Sequence, residues 1–392
     1  MNSGKYVFAQ LLQFVDRYEF DKCVAKYDGD FRTRGFNCWN QFIQLFFGQL
    51  TSRNSLRDIC VCLKAHKNKL YHLGIRKYVN QSTLSRANEG RDQRVFSDFG
   101  NYLISKVRPM YSKQGILGVD ISNEVFALDS TTISLSLKLF GWAPGKYSRG
   151  AVKVHTLLDL RGSIPAFILI TDGKYHDSNS LDILIPIPEA IYVMDKAYVD
   201  FAALHNIDVC GAYFITRAKS SMDFSVVENN PNIDPRTGLL ADRTIILNGY
   251  KSKKLYPGQL RLVEYYDSDK EVELAFLTNN FEVSALEVAR LYRHRWQIEV
   301  FFKWIKQNLV IKSLWGHSEN AVNTHVWIAI CTYLIVAMVK HNLKSTLSIY
   351  EIMQILGISA FDKTPLKDLI AQDQKNQSVK EQKLLNLFDA KS

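Results

Sequence analysis

Apolar positions along the chain change period twice. Up to about residue 115 they recur at helical spacing. Phe8, Leu11, Leu12, Phe14 and Val15 form one stripe, residues 40–50 are rich in aromatic and long aliphatic side chains, and Asn54 or Ser55 stands where a helix over 55–63 needs a cap. A glycine-containing stretch from Leu73 then leads to Ser82, a good N-cap, and to a helix displaying Thr83, Ser85, Arg86 and Asn88. Helix, turn and short polar helix is the outline of a helix-turn-helix DNA reader, with Arg86 and Asn88 as candidate contacts; a three-helix packing unit has the same outline.

From Glu124 the period becomes two. Residues 125–129 read as an apolar strand ending in Asp129, and 191–195 as a second one ending in Asp195. Between them, strands over 152–160 and 164–171 flank an Arg161-Gly162 turn. Short helices over 178–184 and 201–206 and a strand over 212–216 complete an α/β core. Turn clusters and strands at 244–247, 260–266 and 272–277 mark residues 218–280 as an inserted antiparallel β subdomain. Helical spacing returns over 284–309, where Ser284 stands three residues before Glu287 as in a capping box. A buried helix over 318–342, a short helix over 348–356 and a charged tail from Asp362, expected to fray, follow. The predicted organisation is a helical domain over 1–115, an α/β core over 116–345 and a C-terminal segment over 346–392.

The helix at 284–309 carries chemistry on one side. At about 100° per residue, Tyr292, Arg295, Glu299 and Lys306 fall within roughly 60° of one another. Leu291, Ile298, Phe302, Ile305 and Leu309 make the adjoining apolar stripe. An amphipathic helix with solvated charges gives the same pattern. The two strand-end aspartates change its meaning. Open α/β sheets present ligands at the carboxyl ends of their strands, and a carboxylate there is costly unless a cation or donor meets it. Asp129, Asp195 and a helical Glu299 together form an all-oxygen donor set for hard cations, Mg²⁺ or Mn²⁺. Two such ions about 3.5–4 Å apart serve phosphodiester chemistry.

Composition sharpens the partner class. The chain has 392 residues, 47% of them hydrophobic, and a net charge of +10. That balance suits a polyanion, nucleic acid before a membrane surface. The six cysteines include no C-x-x-C pair, which argues for buried thiols in a reducing compartment rather than a zinc site. The start of the chain has no signal-peptide apolar region, and the most apolar stretch, 326–339, is shorter than the about 20 residues that span a bilayer. No membrane role is expected, and the cytoplasm or nucleoid is the expected location. His155 reads as a packed strand histidine, Asp172 and Asp177 as turn-capping acids, and Trp296 and Trp304 as packed helix-face aromatics. Lys138, Lys146 and Arg149 form a basic loop after the first aspartate, a candidate DNA track, while Lys312 and Trp315 are weaker candidates for DNA contact.

Tyr292-x2-Arg295-x3-Glu299-x6-Lys306 is similar to the Y-x2-R-x3-E-x6-K signature of the DDE transposases of insertion sequence family four. Residues 127–132 resemble that family's first-aspartate segment, 191–198 its second, and 153–177 also look like the family. The similarity covers about residues 120 to 345, and the N-terminal part resembles the helical domain found upstream in bacterial members. The resemblance implies a ribonuclease-H-like core with an inserted β domain. It implies two metal ions on Asp129, Asp195 and Glu299, and cut-and-paste transposition through a hairpin intermediate. The expected partners are double-stranded DNA, as element ends and target, and a second copy of the chain as a homodimer on that DNA. Tyr292, Arg295 and Lys306 suit phosphate and hairpin contacts. Two rival readings are a domesticated, non-cleaving DNA-binding protein and a metal-dependent nuclease without strand transfer. One departure stands out. The family's best-understood member holds a flipped base with a Trp of its β insertion, whereas residues 218–280 here contain none. Phe224, Tyr250, Tyr256, Tyr265 and Tyr266 are all candidates to stack instead.

Overall fold

The computed structural model describes residues 4–75, 78–116, 118–145, 150–231 and 233–370. The chain divides into two compact units, residues 1–110 with 304–392, and residues 111–303. The stretch from Trp304 to 345, assigned to the core by its sequence pattern, clusters with the N-terminal helices.

The helical unit begins with α1 (Val7–Leu11), α2 (Arg17–Lys26), α3 (Cys38–Leu50), α4 (Leu56–Ala65), α5 (Gln81–Gly90) and most of α6 (Arg94–Tyr111). Side chains set the starts. Asp16 caps α2, Asn37 caps α3 and Ser55 caps α4, each accepting from a backbone N–H of the first turn. Helix α5 starts two residues earlier than expected, because Asn80 rather than Ser82 accepts the Thr83 N–H, at 3.0 Å. Helix α3 is the axis of the unit, with every residue buried except Trp39. Phe20, Phe42 and Phe99 meet edge-on or tilted at 5.1–5.5 Å beside it, an arrangement aromatic quadrupoles favour. The connection from α4 to α5 runs over residues 66–80 with 3-10 turns at 67–69 and 71–73. That is far longer than the 3–4-residue turn of a helix-turn-helix, so the predicted reader geometry is not formed by α4 and α5.

The second unit holds a nine-stranded sheet: β1 (Val125–Leu135), β2 (Gly150–Asp159), β3 (Ile164–Asp172), β4 (Ile191–Met194), β5 (Tyr213–Arg217), β6 (Phe224–Asn229), β7 (Leu239–Leu247), β8 (Leu260–Asp267) and β9 (Val272–Thr278). Their spatial order is β3-β2-β1-β4-β5-β9-β8-β7-β6. Strands β1, β4 and β5 are parallel, while β2 and β3 run as an antiparallel hairpin on β1. This 3-2-1-4-5 arrangement is ribonuclease-H-like. The four strands of the insertion are antiparallel and continue the same sheet, because β9 pairs with β5. One core accordingly joins Leu128, Tyr192 and Phe214 with Ile245, Leu260 and Leu277 of the insertion.

Strand β4, Ile-Tyr-Val-Met, is buried throughout, as a central parallel strand covered on both faces must be. Strand β1 is longer than predicted. Asp129 lies within it, and what ends there is the pairing with β4: Leu128 aligns with Met194, and Met194 with Thr216 of β5. The next position on the three strands is therefore Asp129, Asp195 and Arg217. Residues in register on parallel neighbours share a face, so the short β4 leaves a row of one cation and two acids where the parallel pairing stops.

Helices α7 (Phe201–Val209), α8 (Tyr250–Leu255), α9 (Ala285–His294) and α10 (Trp296–Asn308) follow, then α11 (Glu319–Asn342) and α12 (Ile349–Ile358). Helix α11 belongs to the helical unit. It is long and apolar enough to cross a membrane by length and composition, but 94% of its apolar window is buried within the fold. At Gly100 of α6 an added Cβ would lie 2.5 Å from the Trp327 ring of α11, so the two helices approach closely only because that side chain is absent.

Candidate active site

The predicted helix over 284–309 is two helices. Its start is as expected, with reciprocal Ser284–Glu287 capping. Its ladder breaks at Arg295, where Arg295 N–H donates to the Tyr292 carbonyl and Ile298 N–H to the Arg295 carbonyl, both at 3.1 Å. These i to i+3 steps tighten the chain by a fraction of a turn. Neither Pro nor Gly marks the break, which is why the sequence concealed it.

The tightened turn carries the signature residues onto the strand-end row. Tyr292 Oη–H donates to Asp195 Oδ1 at 3.3 Å. Arg295 Nη2 donates to Glu299 Oε1 at 2.7 Å, and its Nη1 lies 3.5 Å from Asp129 Oδ2. One guanidinium thus spans two of the three acids. Its Nε–H is buried with no partner, a donor left over within the site. Burial pulls the Arg295 pKa down, but the hydrogen bond it donates to Glu299 and its electrostatic interactions with Tyr292, Glu299 and Asp129 leave it raised.

The Asp129 carboxyl is pushed up to about 6, first by burial. The Ser130 N–H and Arg295 act the other way, and Glu299 and Asp195 add like-charge repulsion. Tyr292 rises to about 12, again mainly through burial, with Asp195 raising it and Arg295 and Arg217 lowering it. These mutual influences place Asp129, Asp195, Glu299, Tyr292, Arg295 and Arg217 in one electrostatic cluster.

The donor set fits a hard divalent cation: carboxylate oxygens from β1, from the end of β4 and from α10, half-buried and close together, where anions need a counter-charge. Among the described residues no three His, Cys, Asp or Glu side chains already close into a metal cage. Here Arg295 is the cation that gathers Asp129 and Glu299.

The remaining candidates fare differently. Lys306 lies on α10 two turns after Glu299, in the part belonging to the helical unit; burial and Lys312 lower its pKa. Arg86 is exposed on α5. Asn88 is not: it is 1% exposed, and its Oδ1 accepts from Gln41 Nε2 of α3 at 2.8 Å. It is a core residue and cannot reach a base edge from there. Trp315 is likewise buried, its Nε1–H donating to the Arg53 carbonyl. Lys138 is exposed after β1, while Lys146 and Arg149 lie outside the described residues. His155 is buried and hydrogen-bonded to Thr171, as expected. Asp172 accepts from the Lys174 and Tyr175 N–H groups and caps its turn, but Asp177 points elsewhere, to Ser130 and Lys153.

Two features escaped sequence reasoning. Arg217 closes the strand-end row, and only the β4–β5 register reveals it. Trp296, expected in the core, is 61% exposed. It stands at a cavity of about 330 Å³ whose wall includes Tyr265, Phe276, Tyr292 and the cations Arg290 and Arg293. The Phe276 and Tyr292 rings are 4.8 Å apart, so this aromatic wall runs from the insertion to the site.

A half-buried carboxylate row facing a base-bearing helix, on a ribonuclease-H-like sheet, defines a class of enzyme that works on phosphodiesters with divalent metal. The comparisons carry this further. The Transposase DDE domain model matches residues 121–335, and the model named Domain of unknown function (DUF4372) matches residues 3–76. The chain belongs to the DDE transposases, enzymes of DNA transposition that use divalent metal and act on DNA. It is 29% identical over 287 residues to the protein named as transposase y4zB of Sinorhizobium fredii, covering 72% of this chain and 78% of that one. It is 28% identical over 209 residues to the protein named as the transposase of insertion sequence element IS5377 of Geobacillus stearothermophilus, covering 53% of this chain and 54% of that one. A solved structure, the piggyBac transposase synaptic complex with hairpin DNA, aligns with a TM-score of 0.49 at 11% identity over 93% of this chain and 80% of that one.

Proposed function

We propose that this chain is a cut-and-paste transposase of insertion sequence family four, with Asp129, Asp195 and Glu299 as the ligands of two Mg²⁺ or Mn²⁺ ions. The observation that carries the reading is the convergence of the two strand-end aspartates, at one register step, with the Arg295–Glu299 pair. Bound there, the ions supply Lewis acidity at the phosphodiester and ease deprotonation of the attacking oxygen. Water attacks at the element end and frees a 3′-OH. That 3′-OH then attacks the opposite strand, and the resulting hairpin is reopened and joined to target DNA.

The side chains have distinct tasks. Tyr292 holds the Asp195 carboxylate in place through its hydroxyl. Arg295 turns its spare N–H to a phosphate oxygen and offsets the charge that DNA brings. Arg217 adds a guanidinium for flanking phosphates, and Lys306, on the helical unit, is a candidate cation for DNA. The hairpin strains a base out of the stack, and Tyr265 and Trp296 at the mouth of the cavity receive it. Tyr265 takes the place of the absent insertion Trp. Of its rivals, Tyr256 is 1% exposed and donates to Asp208. The exposed α5 face with Arg86 contributes to holding the element ends, and a homodimer holds two ends at once. Such a protein works on chromosomal DNA in the cytoplasm or nucleoid.

The test is cleavage of DNA carrying the element's terminal inverted repeats in Mg²⁺. Nicking at the end followed by a hairpin product is expected. Normal cleavage by Glu299→Ala would overturn the site assignment, and nicking without any joined product would favour a plain nuclease.

A further inference from the structure

Beside Asp129, toward β2, lies a polar network that the chemistry above leaves unused. The Ser130 N–H donates to Asp129 Oδ1 at 2.7 Å, and the Ser130 hydroxyl donates to Asp177 Oδ1, also at 2.7 Å. The same Asp177 oxygen accepts from Lys153 Nζ at 3.0 Å, and Lys153 also donates to the Tyr175 carbonyl at 2.8 Å. Lys153 is only 7% exposed and sits within β2, all of whose residues are buried. His155 is opposite Ser130 in the β1–β2 register, with Nδ1 3.8 Å from Asp177 Oδ1. Its burial holds it neutral, leaving Lys153 as the cation of the network.

An ion pair with one partner buried and the other half-buried is seldom a net source of stability, because desolvation offsets the attraction. This one does something a pair of apolar residues cannot: it fixes a hydroxyl next to a catalytic carboxylate. Asp129 Oδ1 is tied to the Ser130 N–H, while Oδ2 is the atom turned toward Arg295. The geometry points to Asp177, held by Lys153, as a positioning residue for Asp129. It anchors Ser130 so that one carboxylate oxygen of Asp129 is occupied and the other is presented to the metal site. This rests on the reading of Asp129 as a metal ligand.

Mn²⁺ binding to the full chain, measured by electron paramagnetic resonance, reads the effect without turnover. Outer-shell partners of metal ligands are worth about 10–100-fold in affinity. Asp177→Asn and Ser130→Ala are each expected to weaken Mn²⁺ binding about 10-fold. Acting as one chain, the double variant is expected to be no weaker than either single one. Ser130→Thr keeps the hydroxyl and is expected to bind like the parent. Ser130→Ala leaves the Lys153–Asp177 pair intact, so the test stands even if Asp177→Asn folds poorly. Unchanged Mn²⁺ affinity in Ser130→Ala and Asp177→Asn, with binding lost in Asp129→Asn, would overturn the positioning role alone. Undiminished binding in Asp129→Asn would overturn the metal-site reading beneath it.

Discussion

Helix α5 and the α9–α10 pair share one pattern: each carries an Arg among hydrogen-bonding neighbours on a helix with a polar side. Their fates differ. Arg86 and Asn88 are two residues apart, about 200° around a helix, so they cannot face one partner. Arg86 faces out, and Asn88 faces Gln41 in the core. Tyr292, Arg295 and Glu299 are three and four apart and share a side. A tightened turn then brings Tyr292 to Asp195 and Arg295 to Asp129, with Glu299 held beside them by Arg295. Polar residue types become a site only when their spacing shares a face and a second element supplies opposite charge.

The contrast can be broken most severely at the acids. Asp129→Asn, Asp195→Asn and Glu299→Gln are each expected to reduce end cleavage by more than the roughly 100-fold upper range for an outer-shell partner, with DNA end binding retained in a gel-shift assay. Any one of them cleaving at the parental rate removes that acid from the site. Next comes Arg295→Lys. A point charge cannot span Asp129 and Glu299 as a planar fork does, so cleavage is expected to fall about 10–100-fold although the net charge is kept; parental kcat would make Arg295 a solvated charge after all.

Smaller effects sharpen the comparison. Tyr265→Ala and Trp296→Ala are expected to slow hairpin formation by about 1–3 kcal/mol, the worth of stacking one base, while first-strand nicking continues. Equal loss in both steps would contradict a base-stacking wall. Asn88→Ala leaves buried Gln41 short of a partner and is expected to destabilise the helical unit by about 1–3 kcal/mol, read as a lower unfolding midpoint, without altering end binding by the folded protein. Arg86→Ala should do the reverse, keeping stability and lowering the salt slope of DNA binding by about one. If Asn88→Ala weakens binding and Arg86→Ala does not, the roles of the two residues are exchanged.

Much of the catalytic unit was legible because its signals are local. Apolar runs ending in Asp129 and Asp195, the Arg161-Gly162 hairpin and the Ser284–Glu287 capping box each follow from adjacent residues. What stayed hidden depends on pairing across the fold. Arg217 is one more base at the end of a strand until the β4–β5 register sets it beside Asp195. Asp177 looks like a turn acid until β2 brings Lys153 to it. Trp296 is expected to pack because it is a tryptophan, yet it lies opposite the apolar stripe of Leu291, Ile298, Phe302, Ile305 and Leu309 and is exposed at the aromatic cavity. In the helical unit, buried Asn88 shows the opposite error, a polar residue taken for a surface one because its partner lies 47 positions away.

The central claim is that Asp129, Asp195 and Glu299 bind metal together. Its most direct test is an anomalous-scattering map from crystals of the full chain with element-end DNA and Mn²⁺. Manganese peaks within about 2.0–2.3 Å of oxygens from Asp129, Asp195 and Glu299, with Arg295 swung from between the carboxylates onto a phosphate, are the predicted result. Manganese bound elsewhere, with the guanidinium still bridging Asp129 and Glu299, would contradict the account.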